Sequence, residues 1–120
     1  MIVHGAPIVI AYHFNRDLHL RTYGQAIVLV HTSSGRVYKL MPTKLAVKAS
    51  STGFDWGFIG SASFSLAHSL LSDRLGKPAT VAMAHAFKEE FVQSIPHDGG
   101  AIRAVRVDKW IEDYKLERVT

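Results

Sequence analysis

Seven histidines provide the side chain best suited to metal binding and to proton transfer near neutral pH. His68 and His85 fall at the edges of two predicted helical faces, where an antiparallel pairing of the helices would bring them together. Neither has a second histidine four residues away, and no third ligand is evident. Half-buried histidines at helix edges are therefore the favoured interpretation, and we predict no metal site and no cofactor.

Three more histidines, His13, His19 and His31, lie in predicted strands, where a general base would need a pocket and a partner group. Serines and aspartates are common enough for a Ser–His–Asp trio to arise by chance, but no nucleophile-elbow pattern is present. We therefore predict no catalytic residue and keep an enzyme only as an alternative.

The stretch 50–61 places three glycines and three aromatic residues in twelve positions. Glycines just before a helix can expose backbone amides to an anion, with Gly57, Gly60 and Ser61 as the candidate cradle. The stretch lacks the lysine and threonine of a nucleotide-binding P-loop, and its glycine spacing does not match a dinucleotide fingerprint. The favoured alternative is that the glycines permit sharp turns while the aromatic residues seal the sheet against the helices. In that interpretation Asp55 holds turn amides.

The chain has a net charge of +4, and this charge is unevenly distributed along it. Residues 1–50 carry six basic residues and one acidic residue, whereas residues 51–120 carry eight basic and nine acidic residues. A basic sheet can attract an acidic protein or a polyanion, although basic residues at strand edges also keep a sheet soluble. The candidate partner-binding residues are Arg16, Arg21, Tyr23, Arg36 and Tyr38.

The first half of the chain alternates apolar and polar residues with a period of two, which predicts β-strands. The predicted strands are 8–14, 18–23, 26–31, 37–41 and 45–49. In the first of them, the alternation places Ile8, Ile10, Tyr12 and Phe14 on one apolar face. Turn formers at 15–17 and 33–35 make two hairpins, of which the second is the clearer, and 102–107 predicts one more short strand.

After residue 60 the apolar period becomes helical, and 61–75 predicts a helix that ends at Gly76. Its predicted polar face consists of Ser65, Ser69, Ser72 and Asp73. A second helix is predicted over 78–94, and a third over 109–117 with Asp108 as its N-cap.

This order of elements predicts an α+β fold in a single domain, residues 1–120. N-terminal antiparallel hairpins form a sheet. A C-terminal pair of helices and a short final helix pack on one face of that sheet.

Three motifs carry a family resemblance: TGFDWGF at 52–58, AHAFKEE at 84–90 and IPHDG at 95–99. Together they resemble domain of unknown function 6166, with the match mainly over 52–99. The segment SASF at 61–64 departs from the Ser-Gly-Pro helix start that is usual in that family. The resemblance implies a small accessory protein of bacteria, archaea or viruses, often encoded on mobile or viral DNA. It supplies no catalytic residue.

The composition is that of a globular protein, with 48% hydrophobic and 20% charged residues and no cysteine. No apolar run approaches the roughly 20 residues of a membrane helix, and the first residues lack the features of a signal peptide. We therefore expect a soluble, cytoplasmic module that binds another protein, or itself as a homo-oligomer. The first alternative is a nucleic-acid-binding protein that uses the basic sheet, with tyrosines that stack on bases. The second is a small enzyme or anion-binding protein that uses the glycine–aromatic turn.

Overall fold

The computed structural model describes residues 8–17, 25–50, 53–57 and 60–119, and its strands form one four-stranded antiparallel sheet. The strands are β1 (Val9–Asp17), β2 (Gln25–Thr32), β3 (Val37–Lys39) and β4 (Gly99–Arg103). Their spatial order is β3-β2-β1-β4, so the two longest strands lie in the middle. The turn predicted at 33–35 is confirmed between β2 and β3.

The helices confirm the predicted α+β class. They are α1 (Lys44–Ala49), α2 (Ser61–Leu75), α3 (Val81–Glu90) and α4 (Ala104–Val119). α2 has the predicted bounds and ends at Gly76, whose left-handed φ of 71° suits glycine. In place of the predicted helix 78–94, α3 begins only after its N-cap Thr80 and is followed by a short 3₁₀ helix at Val92–Ser94. Among the residues described, no helix combines the length and apolar character needed to cross a lipid bilayer.

The core lies between one face of the sheet and the helices. The strands contribute Tyr12, Phe14, Val28, Val30 and Ile102, which are all buried. Helix side chains and the fully buried Trp56 complete the same cluster. Because the buried strand residues alternate with less buried ones, the helices cover only this face, which we call the inner face.

α2 is buried on all sides from residue 63 to residue 72, so its predicted polar face is wrong for three serines. The Ser65 hydroxyl donates to the carbonyl of Ala46 on α1 at 2.8 Å. Ser69 and Ser72 accept backbone amides from Thr43 and Ala79 at 3.1 and 2.9 Å. Because neighbouring backbone groups satisfy these hydroxyls, the side of α2 that looks polar in the sequence packs against protein.

The predicted strand 45–49 is wrong, because this segment forms α1. Thr43 caps the helix by accepting the Ala46 amide at 3.1 Å. The alternation of apolar residues that suggested a strand covers only five positions, and Leu, Ala and Lys favour a helix once a cap begins one. Ala46 is the buried residue of α1 and packs toward α2.

The predicted turn at 15–17 is also wrong, because β1 continues through Asp17. Asn15 pairs with Ile27 on β2 and with Gly99 on β4, so hydrogen bonding on both sides overrides the local preference for a turn. The hairpin predicted between 8–14 and 18–23 is therefore wrong, because β1 pairs with β2 and β4. The segment 18–23 lies outside the described residues. A Cβ on Gly99 would lie 1.9 Å from the Phe14 carbonyl oxygen, so the β1–β4 pairing requires glycine there.

The predicted strand 102–107 and the N-cap at Asp108 are corrected together. β4 ends at Arg103, and α4 begins at Ala104 without an intervening loop. Asp108 therefore lies within α4, where its carboxylate accepts two hydrogen bonds from Arg74 of α2 at 2.8 and 2.6 Å. Ala104 and Val107 are buried three residues apart, as on one face of a helix. Four residues of sequence, 104–107, are too few to distinguish this spacing from the alternation of a strand.

Candidate interaction surface

The side chains that face away from the helices follow from the register of the strands. Tyr12 and Phe14 are buried on the inner face, so their neighbours on β1 lie on the opposite face. One row across this opposite face is Val37, His31, Ala11 and Arg103. The next row is Lys39, Leu29, His13 and Ala101. With Ile8, Ile10, Asn15 and Ile27, these residues form what we call the outer face.

A β-bulge places Ile10 on the outer face. Val9 pairs with Thr32 and Ala11 pairs with the preceding residue of β2, which leaves Ile10 without a partner. Since Val9 packs on the core and Tyr12 does too, the bulge absorbs one step of the alternation. Ile8 and Ile10 are accordingly exposed by 72% and 50%. The prediction that they share an apolar face with Tyr12 and Phe14 is therefore wrong.

The outer face has an apolar centre and basic edges. Val37 is 45% exposed, and Ile27 and Leu29 are half-buried. Lys39 and Arg103 are exposed on the two edge strands. An aliphatic surface between two fixed positive charges suits a partner whose own aliphatic surface lies between negative charges.

Two histidines occupy the middle of the outer face. The ring centroids of His13 and His31 are 3.9 Å apart, with the ring planes inclined by 37°. Partial burial and the neighbouring His31 imidazole lower the pKa of His13 below its ordinary value. His13 is consequently neutral at neutral pH.

Arg16, the first candidate partner-binding residue, makes internal contacts. Its side chain is 8% exposed and donates to the Asp55 carboxylate at 2.7 Å and to the His97 carbonyl at 3.0 Å. The guanidinium carbon also lies 4.9 Å from the centre of the Trp56 ring. These contacts hold the end of β1 against the stretch 53–57, so Arg16 belongs to the inner face.

Tyr38 lies on the inner side of an edge strand. It pairs with buried Val30 and is 41% exposed. Its ring lines a groove of about 370 Å³ together with Asp73 and Lys77. Partial burial and the Asp73 carboxylate raise the pKa of Tyr38. Tyr38 is thus separated from the outer face by the sheet itself.

Arg36 adjoins the outer face. It is exposed in the turn before Val37, and its carbonyl accepts both the amide and the hydroxyl of Thr32. Arg21 and Tyr23 lie outside the described residues. The three described candidates, Arg16, Arg36 and Tyr38, therefore do not lie on one face.

The glycine–aromatic stretch functions as a seal in the part that the structure describes. Trp56 is fully buried, and Asp55 accepts its amide at 2.8 Å, which confirms the predicted role of Asp55. The Gly57 amide donates to the Val92 carbonyl at 3.0 Å. An anion at Gly60 and Ser61, where α2 begins, would therefore not be met by the Gly57 amide.

His68 and His85 are separated by the ring of Phe64, which lies 6.0 Å from one and 4.6 Å from the other. His68 is 2% exposed, and both its nitrogens are engaged, by the Thr43 hydroxyl at 2.7 Å and the Ala79 carbonyl at 2.9 Å. His85 is exposed, so the prediction of two half-buried helix-edge histidines is wrong for both. Within the described ranges, no group of three or more potential metal ligands is found.

One polar contact between distant residues has no signal in the sequence. The buried Tyr12 hydroxyl donates to the Asp73 carboxylate at 2.5 Å, although the residues are 61 positions apart. Burial, followed by the hydrogen bond to Asp73, raises the pKa of Tyr12 well above its ordinary value. This contact joins the centre of the sheet to α2.

Comparisons with known proteins identify a family and no characterised relative. The family model for DUF6166, described as a family of unknown function, matches residues 19–113. The family indicated by the motifs at 52–99 is thereby confirmed over a longer stretch. No curated protein and no solved structure matches the chain.

Proposed function

This chain belongs to DUF6166, and we propose that it is a protein-binding module that contacts its partner through the outer face. The observation that carries the proposal is the exposure of Ile8, Ile10 and Val37 on the side of the sheet opposite the core. Exposed apolar side chains gathered on one face are typical of a surface that another molecule covers. The described helices contribute their buried side chains to the other side of the sheet.

The charges of the outer face favour a partner with an aliphatic surface flanked by Asp or Glu. Lys39 and Arg103 lie on opposite edges of the apolar centre, where carboxylates of a partner would face them. A second copy of this chain would instead bring the same cations toward each other. Self-association is therefore an outcome of the test rather than the proposal.

A nucleic acid is disfavoured by the chemistry between the two basic edges. Proteins that bind single strands on a sheet stack bases on aromatic side chains. The outer face, as defined by its described residues, has no Phe, Tyr or Trp, and Tyr38 lies on the inner side. Its aliphatic residues offer burial to a protein surface, whereas they offer a phosphate backbone nothing.

The accessory role on mobile or viral DNA that the resemblance implies remains a prediction. If the chain has this accessory role, its partner is encoded either by the mobile or viral element or by the host. A lysate of the source organism, grown with the element present, is accordingly the material in which to search.

The experiment compares four tagged forms of the chain in that lysate, with and without nuclease, by quantitative mass spectrometry. They are the wild type, the double variant I10E/V37E, the charge reversal K39E/R103E and the control V81E. Val81 is 50% exposed, as Ile10 is, but lies on α3. We expect one nuclease-resistant protein whose recovery falls at least about tenfold with either outer-face variant and is unchanged with V81E.

The captured protein is then purified and titrated against the four forms by calorimetry. A partner that binds all four forms equally would overturn the assignment of the outer face. Material that disappears on nuclease treatment would replace the proposal with nucleic-acid binding. A wild-type dimer by light scattering that I10E/V37E converts to a monomer would replace it with self-association.

A further inference from the structure

The two histidines at the centre of the outer face differ from His68, because they have no polar partner among the residues that the structure describes. His13 lies on β1 and His31 on β2, diagonal to each other across neighbouring strands. Neither ring hydrogen bonds or forms an ion pair with any group in the described part of the chain. Both nitrogens of His68, by contrast, are engaged by protein atoms. The outer-face pair therefore presents nitrogen lone pairs that no described group uses.

We propose that His13 and His31 together bind one divalent late transition metal ion, with Cu²⁺ held more tightly than Zn²⁺. Imidazole nitrogen suits both metals, and the Irving–Williams order places Cu²⁺ above Zn²⁺. The site goes beyond the proposed protein contact and does not rest on it.

The two rings are close enough for one metal to reach both. Their centroids are 3.9 Å apart on a sheet that fixes both Cα positions. Bonds of about 2.0 Å from one metal to two imidazole nitrogens place those nitrogens roughly 3 Å apart. Rotations about the side-chain torsions must bring one nitrogen of each ring to that separation, and both rings are only partly buried.

The charged residues of the outer face bear on which metal can bind. Lys39 and Arg103 lie on the two edge strands, each in one row with one of the histidines. These cations repel every divalent ion alike, so binding requires a metal that forms strong bonds to imidazole. Mg²⁺, which binds carboxylates and water, does not form such bonds.

Two protein ligands leave the remaining coordination positions to water. With no group of three or more potential ligands among the described residues, the affinity expected is that of a two-histidine site. Such a site is open on the solvent side of the sheet and needs no entry path through the core. It is also complete within one chain.

The first measurement uses the unmodified full-length chain, so that it cannot fail through misfolding. Cu²⁺ is added in substoichiometric steps while the histidine ring resonances are followed by NMR. The expected result is that the signals of His13 and His31 broaden first and together, whereas those of His85 and His97 persist. Earlier broadening of any other histidine, or broadening of only one of the pair, would overturn the proposal.

Calorimetry with CuCl₂, ZnCl₂ and MgCl₂ then tests the ligands one at a time. H13N and H31N are each expected to weaken Cu²⁺ binding at least about tenfold, while the exposed-helix control H85N leaves it unchanged. Zn²⁺ should compete at the same site, and Mg²⁺ should give no heat. Equal Cu²⁺ affinity in H13N and the wild type would contradict the assignment, provided that circular dichroism shows both folded.

Discussion

The side chain of Tyr12 both packs in the core and forms a buried hydrogen bond. Its ring is completely buried in the centre of the sheet, while its hydroxyl reaches the Asp73 carboxylate at 2.5 Å. A phenol in this position must remain protonated, because the phenolate would be buried beside another negative charge. The residue therefore links stability to pH on the alkaline side.

Replacing Tyr12 with Phe is expected to remove part of the alkaline instability. The pKa of Tyr12 in the folded protein is raised above the ordinary value of 10.0. Its contribution to the free energy of unfolding is therefore complete below pH 10 and falls as the pH rises further. The wild type should lose about 1.4 kcal/mol per pH unit above 10 from this group. Y12F should cost about 1 kcal/mol at pH 8 through the lost hydrogen bond, and then overtake the wild type near pH 11.

The measurement is urea unfolding at pH 8, 10 and 11. The control is Y114F, because the half-buried Tyr114 ring stacks on Trp110, 5.2 Å away, outside the sheet. Y114F should keep the alkaline loss of the wild type. If Y12F lost stability between pH 10 and 11 as steeply as the wild type, Tyr12 would not be the titrating group.

At the residue scale, sequence reasoning succeeded where chemistry is local and failed where it is distant. Asp55 next to Trp56 and Gly76 after a helix have roles set by adjacent backbone. The Tyr12–Asp73 contact joins positions 61 apart and depends on how α2 crosses the sheet. His68 was predicted at a helix edge because the periodicity of α2 alone does not show that the start of α1 covers that edge.

α1 is the element whose identity the sequence concealed, and Thr43 explains why it is helical. The hydroxyl of Thr43 accepts the Ala46 amide at 3.1 Å and contacts Nδ1 of His68 at 2.7 Å. Since Nε2 of His68 must donate to the Ala79 carbonyl, we assign Nδ1 as the acceptor of the Thr43 hydroxyl proton. One threonine therefore begins α1 and attaches it to α2.

T43A is expected to cost more than the loss of an ordinary helix cap. Removing the hydroxyl exposes one amide and leaves Nδ1 of the buried His68 without a donor, which together predict a loss of about 2–4 kcal/mol. Thr80 caps α3 in the same way, through the Met83 amide at 3.1 Å, so T80A should lose only about 1 kcal/mol. T43S should restore most of the loss, and equal losses in T43A and T80A, measured by urea unfolding, would reject the role of His68.

Elements with strong local signals were predictable from the sequence, and short ones were not. The fifteen residues of α2 give several turns of helical period, and the Ser-Ser-Gly turn before β3 is defined by its own residues. α1 has six residues, too few to distinguish two periods. β4 requires Gly99 to approach Phe14, which no local pattern announces.

The outer face is a property of the whole molecule, and one extra residue determines it. Without the bulge at Ile10, strict alternation assigns Ile8 and Ile10 to the core with Tyr12. A shift of one residue moves every side chain beyond it to the other side of the sheet. The composition of the outer face therefore could not be predicted from a sequence that does not mark the bulge.

Three of the ion pairs among the described residues differ in burial, which predicts how much each one stabilises the protein. The side chains of Arg16 and Asp55 are 8% and 27% exposed, and this pair joins β1 to the stretch 53–57. Arg74 and Asp108 are 20% and 47% exposed and join α2 to α4. Lys109 and Asp113 are 71% and 51% exposed and lie within one helix.

Substituting methionine for each cation should give losses in that order. R16M removes the cation over Trp56 and leaves Asp55 partly buried without its charge partner, which predicts a loss of about 2–3 kcal/mol. R74M should lose about 1 kcal/mol, because both of its groups are more exposed to solvent. K109M should show no measurable loss, since water screens a pair this exposed. Urea unfolding of the three variants at one pH and salt concentration checks the order. A loss in K109M as large as that in R16M would mean that burial does not determine which pair holds the molecule together.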